Sequence, residues 1–156
     1  MALFVGEFDQ VIDAKHRLAI PSPLREPLDP KQDGTEFYLV LGPDRHLWLY
    51  PDQYYRRMLE PLHRTALPSR RAQRMDLLFA LARVVKADSQ GRVVLPEKSM
   101  QRAVIAEAVT LVGKGDHIEL WPTADWEKYV EQALPSYGQD VLDAGDGLSG
   151  PEGSDK

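Results

Sequence analysis

The stretch "DAKHRLAIP" runs from Asp13 to Pro21, and "DSQGRVVLP" runs from Asp88 to Pro96. Both read Asp, two variable residues, a turn residue, Arg, three apolar residues and Pro. The residues between Asp and Arg are rich in turn formers, and the three apolar residues after Arg are strand-like. Each phrase therefore predicts a β-hairpin. Gly91 takes positive φ without steric cost, whereas His16, at the matching place, is an uncommon but tolerated occupant.

The match continues downstream. "LVLGPDRHLWLYPDQYYRRML" from Leu39 aligns with "TLVGKGDHIELWPTADWEKYV" from Thr110. Gly42 pairs with Gly113, His46 with His117, Leu49 with Leu120, Tyr50 with Trp121, Pro51 with Pro122, and Tyr55 with Trp126. The offset is 75 at the Asp-Arg phrase and 71 here, so the first copy carries four extra residues around "DPKQDGTE". Loops accept such insertions at small entropic cost. Two blocks in the same order indicate a tandem duplication.

Each copy then reads alike. A short helix follows Pro21 and Pro96, beginning at Ser22 and near Glu97. A second strand pair follows, "EFYLVL" with "HLWLY" and "AVTLV" with "HIELW", around the tight turns "GPDR" and "GKGD". Asp52 and Thr123 suit helix N-caps. Tyr55, Met58, Leu59 and Leu62 form one apolar stripe that Pro61 should end, and Trp126, Tyr129, Val130, Ala133 and Leu134 form another. Between the copies, Ser69 and the stripe Ala72, Met75, Phe79 and Ala82 predict a linking helix. The organisation expected is a first repeat at 7–53, a linking helical segment at 54–81, a second repeat at 82–125, a helix at 126–137 and a tail at 138–156. That tail is acidic, rich in Gly and Ser and poor in large apolar residues, and its composition predicts disorder.

Composition bounds the chemistry. The 156 residues hold no cysteine, which excludes disulfides, thiolate metal sites and cysteine nucleophiles. Net charge is −5, but the segment 139–156 carries five acids and one lysine, so the rest is near neutral. Residues 56–86 hold eight bases against Glu60 and Asp76, read first as a solvated helix face. "GKGD" lacks phosphate-loop spacing, and neither G-x-S-x-G nor H-E-x-x-H occurs. The expectation is a non-enzyme with no cofactor and no metal. His46 and His117 read as turn or strand-edge hydrogen-bonding residues, and the tryptophans and tyrosines as core or subunit interface. No signal peptide and no membrane helix is visible, and a cytoplasmic, nucleoid-associated protein is expected.

On the two D-x-x-x-R phrases, with "GDHIELWP" at Gly115–Pro122 followed by Trp126, the chain resembles the MraZ family over about residues 4–137. The resemblance implies an α+β fold of two tandem AbrB-like swapped-hairpin units, of the SpoVT-AbrB type, related by pseudo-twofold symmetry. It implies a DNA-binding transcriptional regulator of the division and cell-wall gene cluster, expected to be a repressor and assembled into a ring. Its partner would be double-stranded DNA carrying short direct repeats upstream of its own operon. The residues that this points to are Asp13, Lys15, His16 and Arg17 in the first loop, and Asp88, Gln90 and Arg92 in the second. The family pattern has Gly where this chain has His16, which leaves the shape of the first loop open. Guanidinium groups suit phosphate or guanine, and the basic triplet Lys15-His16-Arg17 predicts that the first loop dominates. For Arg92 a plain hairpin salt bridge is an equally good reading. The alternative is an AbrB-like protein-interaction module without DNA recognition. Antitoxins built this way add an apolar partner-binding tail, and this tail is polar.

Overall fold

Alternation of apolar and polar residues makes eight strands among the residues described, 1–62 and 67–154, in a computed structural model of the chain. The first copy gives β1 (Glu7–Val11), β2 (Arg17–Ala19), α1 (Ser22–Arg25), β3 (Glu36–Leu41), β4 (Leu47–Pro51) and α2 (Asp52–Leu59). After α3 (Arg70–Arg74) and α4 (Asp76–Ala80), the second copy gives β5 (Arg83–Lys86), β6 (Arg92–Val94), α5 (Glu97–Ala103), β7 (Ala108–Gly113) and β8 (Ile118–Pro122). These belong to one compact unit, residues 1–123; a second unit, 124–156, holds most of α6 (Thr123–Ala133) and all of α7 (Tyr137–Ser154).

Strand order shows the duplication as symmetry. The large sheet runs β1-β7-β8-β4-β3-β5, and β2 pairs with β6 in a separate two-stranded ladder. Exchanging the copies maps the order onto itself, with the pseudo-twofold axis between β4 and β8. Every pairing except β3–β4 and β7–β8 crosses between copies. The fold is thus α+β with two tandem units whose first strands are exchanged.

The exchange modifies the expected hairpins. The Asp-Arg turns form, but the arms then part: β1 goes to β7 and β2 to β6. Neither two-stranded arm could bury a face alone. Parting lets both phrases insert Leu18, Ile20, Val93 and Leu95, each at most 1% exposed, into one shared core. Phe37, Leu39, Leu47, Leu49, Val109, Leu111, Ile118 and Leu120 close that core from the sheet.

Several expectations are corrected. The linking helix is two five-residue helices, α3 and α4, with Met75 between them at φ −90° and ψ −4°. Arg70 and Arg74 repel at i,i+4, and the chain must leave the helix by Ala82 so that β5 can pair with β3. Phe79, in the expected stripe, is 43% exposed. Asp52 and Thr123 are the first helical residues rather than caps. Asp52 accepts the Glu36 amide at 3.3 Å, and Thr123 hydrogen-bonds Thr110 at 3.1 Å, so strand neighbours take the groups a cap would use. The C-terminal helix expected at 126–137 starts at Thr123 and passes into a 3₁₀ turn at Leu134–Ser136. The tail expected to be disordered is α7 as far as Ser154. Its residues 137–148 are all exposed, so local bonds support it. Gln139 donates to Asp143 at 2.9 Å, and Asp140 lies in the first turn, where the helix dipole favours an acid. Composition reports what can be buried, not what local bonding can hold. Arg64 of the basic run, and Asp155 and Lys156 of the tail, lie outside the described residues.

On the sheet's second face α2 covers Tyr38, Val40, Trp48 and Tyr50. Here His117 is 8% exposed and lies between two carboxylates, Nδ1 at 2.8 Å from Asp116 and Nε2 at 2.8 Å from Glu119. Trp121 donates to Glu119 and Tyr54 to Asp116, at 2.9 and 2.7 Å, and Trp48 stacks on the imidazole with 4.1 Å between centroids. His46, the matching residue of the first copy, stacks on Trp121 at 3.8 Å and contacts Asp44 at 2.9 Å. The His117 ring therefore hydrogen-bonds at the strand end as expected, whereas His46 bonds Asp44 through its backbone amide and its buried Nδ1 makes only a contact at ion-pair distance.

Candidate nucleic-acid interface

The two Asp-Arg turns are the same structure built twice. In the first, Asp13 Oδ1 accepts the amides of Lys15 and Arg17 at 2.9 and 2.8 Å. In the second, Asp88 Oδ1 accepts those of Gln90 and Arg92, both at 2.9 Å. Oδ2 takes the arginine Nε, at 2.6 Å in the first and 2.9 Å in the second. The backbone closes alike: His16 N donates to Asp13 O and Gly91 N to Asp88 O, each at 3.0 Å. His16 holds φ at +61° where Gly91 has +76°. The first loop therefore keeps its shape with a histidine in the glycine position.

The backbone amide of the following arginine, foremost, holds each Asp carboxyl below its ordinary pKa, with its guanidinium also contributing; partial desolvation opposes. Both acids are ionised at neutral pH. A carboxylate repels phosphate, so Asp13 and Asp88 position arginines rather than contact a polyanion themselves. Because each arginine spends Nε on its Asp, its two terminal nitrogens remain for a ligand, in the fork that fits phosphate or the guanine edge.

The loops are locked to each other. Ile20 N donates to Gly91 O at 2.9 Å, and Leu95 N donates to His16 O at 2.8 Å, so each turn residue anchors the other copy's strand. Between them lies the β2–β6 ladder, with Arg17 opposite Val94, Leu18 opposite Val93 and Ala19 opposite Arg92. Directly paired residues share a face. Leu18 and Val93 point into the core with no exposed area, so Arg17, Ala19, Arg92 and Val94 occupy the outer face together. Two residues along and one strand across separate the arginine Cα atoms by roughly 8 Å. The ladder is a short two-stranded ribbon with a guanidinium at each diagonal corner, an element of the width a major groove admits.

Lys15 and Gln90 are exposed at the loop tips. His16 is turned toward α5 and lines a hollow with Met100, Gln101, Val104 and Ile105. It is not a free member of a basic triplet. Two residues of this surface escape a reading of the Asp-Arg phrases alone. Val94 is 58% exposed between the arginines, although its apolar run reads as core. Arg25, from α1, lies against Gly91 of the second loop, and its Nε donates to Ile20 O at 2.8 Å. The 75-residue offset puts Met100 at the corresponding place of the second copy.

Comparison with known proteins bears on this geometry. The family model for the MraZ protein, described as antitoxin-like, matches residues 3–77 and again 78–140. This chain belongs to the MraZ family. The two matched segments meet within α4, and each contains one Asp-Arg turn. The protein named transcriptional regulator MraZ of Heliobacterium modesticaldum is 36% identical over 138 residues, covering 86% of this chain and 92% of that one. Its namesake in Clostridium tetani is 33% identical over 128 residues, covering 81% and 87%. That of Finegoldia magna is 31% identical over 148 residues, covering 94% and 97%. Among the described residues no helix is long and apolar enough to cross a membrane.

Proposed function

We propose that this MraZ-family chain regulates transcription by binding double-stranded DNA through the outer face of the β2–β6 ladder. The observation that carries the reading is the pair of guanidinium groups, Arg17 and Arg92, each braced by an aspartate and presented from one solvent face of a rigid ribbon. The names of the relatives, all transcriptional regulators, agree with it.

The finer reading follows from the resemblance. The chain binds short direct repeats upstream of its own operon, in the division and cell-wall cluster, as a repressor in the cytoplasm at the nucleoid. Two or three cations per protomer make a weak grip on a duplex. A ring of protomers engaging successive repeats raises apparent affinity through effective concentration. Phosphate contacts release counterions, so affinity falls steeply with salt. Asp13 and Asp88 hold the arginines, Arg17 and Arg92 contact the duplex, and Lys15 and Gln90 reach the flanking backbone.

The test is fluorescence anisotropy with duplex from upstream of the chain's own gene, against a scrambled duplex, across a salt series. Wild type binds the upstream duplex more tightly than the scrambled one, and Arg17→Ala flattens the salt dependence. A folded wild type that binds neither duplex would move the reading to a protein-interaction module. Native mass spectrometry at micromolar concentration reads the assembly, and a monomer there removes the ring.

A further inference from the structure

By its own sequence the second loop is poorer in charge than the first, with Ser89 and Gln90 where the first has Ala14 and Lys15. The fold supplies a cation to it from another element. Arg25, at the end of α1, packs on Gly91 so closely that a Cβ built there would lie 2.7 Å from the guanidinium carbon and 2.7 Å from Nε. Gly91 is therefore favoured by its φ of +76°, and a side chain there would push the flexible end of Arg25 aside.

We propose that Arg25 is a fourth cation of the duplex-facing surface, beside Arg17, Arg92 and Lys15, contacting a backbone phosphate next to the second loop as the duplex-binding reading has Lys15 do next to the first. The inference rests on the duplex-binding reading. Three observations support it. Arg25 is exposed, and its bond from Nε to Ile20 O fixes the stem while sparing the terminal nitrogens. Among the described residues no carboxylate partners it, unlike Arg17 and Arg92, so its charge is not balanced within the protein. The other copy does without it: Met100, 8% exposed, takes the corresponding place beside His16. A methionine and a side chain on the loop satisfy the packing there, so the architecture of a unit does not itself demand a guanidinium. The preference for the first loop, drawn from counting bases within the phrases, gives way to two loops of similar charge.

The test compares Arg25→Met, Arg25→Lys, Arg17→Ala and Arg92→Ala by anisotropy with the upstream duplex at several salt concentrations. A phosphate contact predicts that Arg25→Met lowers the slope of log affinity against log salt by about one per engaged protomer. It should approach wild type at high salt, and Arg25→Lys should restore the slope. An Arg25→Met protein with the wild-type slope overturns the inference, whether its affinity is unchanged or falls equally at every salt. If Arg17→Ala and Arg92→Ala flatten the slope while Arg25→Met does not, only this inference fails; if none does, the duplex-binding reading fails. Should Arg25→Met not fold, the converse double variant His16→Gly/Met100→Arg decides. It places a guanidinium beside the first loop and should steepen the slope, and an unchanged slope counts against the proposal.

Discussion

Replacing His117 by glutamine tests the buried ion cluster between the two copies. A neutral imidazole has one N–H and cannot donate to Asp116 and Glu119 together. With both nitrogens at 2.8 Å from carboxylate oxygens, the ring is an imidazolium. Burial alone would lower the His117 pKa, but the hydrogen bonds and charges of Glu119 and Asp116 outweigh it and the net shift is upward. Asp116 and Glu119 move down, desolvation being outweighed by their bonds to His117 and, respectively, to Tyr54 and Trp121, with Lys114 also favouring ionised Glu119. Tyr50 on β4 faces the same cluster, and burial, foremost, pushes its pKa up, so it stays neutral.

Removing one partner of a buried ion pair costs roughly 3–5 kcal/mol. Glutamine keeps a donor NH2 group without the charge, so the lower end applies, about 3 kcal/mol, or roughly 6–12 °C in Tm for a chain of this size. The sign with pH follows from the shifts. The His117 contribution is complete below its unfolded value of about 6.5 and is lost as pH rises through the higher folded value. The Asp116 and Glu119 contributions are present above their unfolded values, about 4, and are lost as pH falls below them. Wild-type stability should peak at about pH 5–6, and its margin over His117→Gln should shrink as the solution is made alkaline. Urea unfolding of both proteins from about pH 5 to about pH 9 measures the margin; the reasoning is refuted if it stays constant or widens.

Other expectations concern the loops and their supports. Gly91→Ala should cost about 1–2 kcal/mol from left-handed backbone strain and displace Arg25, whereas His16→Gly should be within about 0.5 kcal/mol of wild type, relief of strain offsetting added chain entropy. Paired chemical denaturation curves separate the two outcomes. Val104, a β-branched residue at φ +54° and 80% exposed at the end of α5, should gain roughly 0.5–1 kcal/mol on substitution by glycine, seen as a higher urea midpoint. Leu18→Ala, in a side chain with no exposed area, should lose about 2–5 kcal/mol and lower Tm.

Much of this architecture can be read from local pattern. The Asp-Arg phrases, the Gly-His-Pro matches and the strand runs set the duplication and element types, because turn chemistry and period-two alternation act over a few residues. His117, Glu119 and Trp121 alternate along one strand, so their common face was also legible. What the pattern misses is pairing at long range. The arms of each phrase part because strands of the other copy offer them better partners than the arms offer each other; the partners are 101 residues apart for Asp9 and Thr110, and 75 for Leu18 and Val93.

 Separations of that length are beyond the reach of a local pattern. Arg25 meets Gly91 for the same reason: their contact exists only once β2 and β6 have paired across the copies. The tail escaped because its support is a few side-chain bonds such as Gln139 to Asp143, which a count of apolar residues does not register.

The most direct measurement places a photo-crosslinker, p-benzoylphenylalanine, at Val94, between the two arginines on the ladder's outer face, and at Met58 on α2 as a comparison. Irradiation with the upstream duplex should give protein–DNA adducts from position 94, lost in an Arg17→Ala/Arg92→Ala background, and few from position 58. Adducts from position 58 with none from position 94, in a protein that still binds the duplex, would contradict the account.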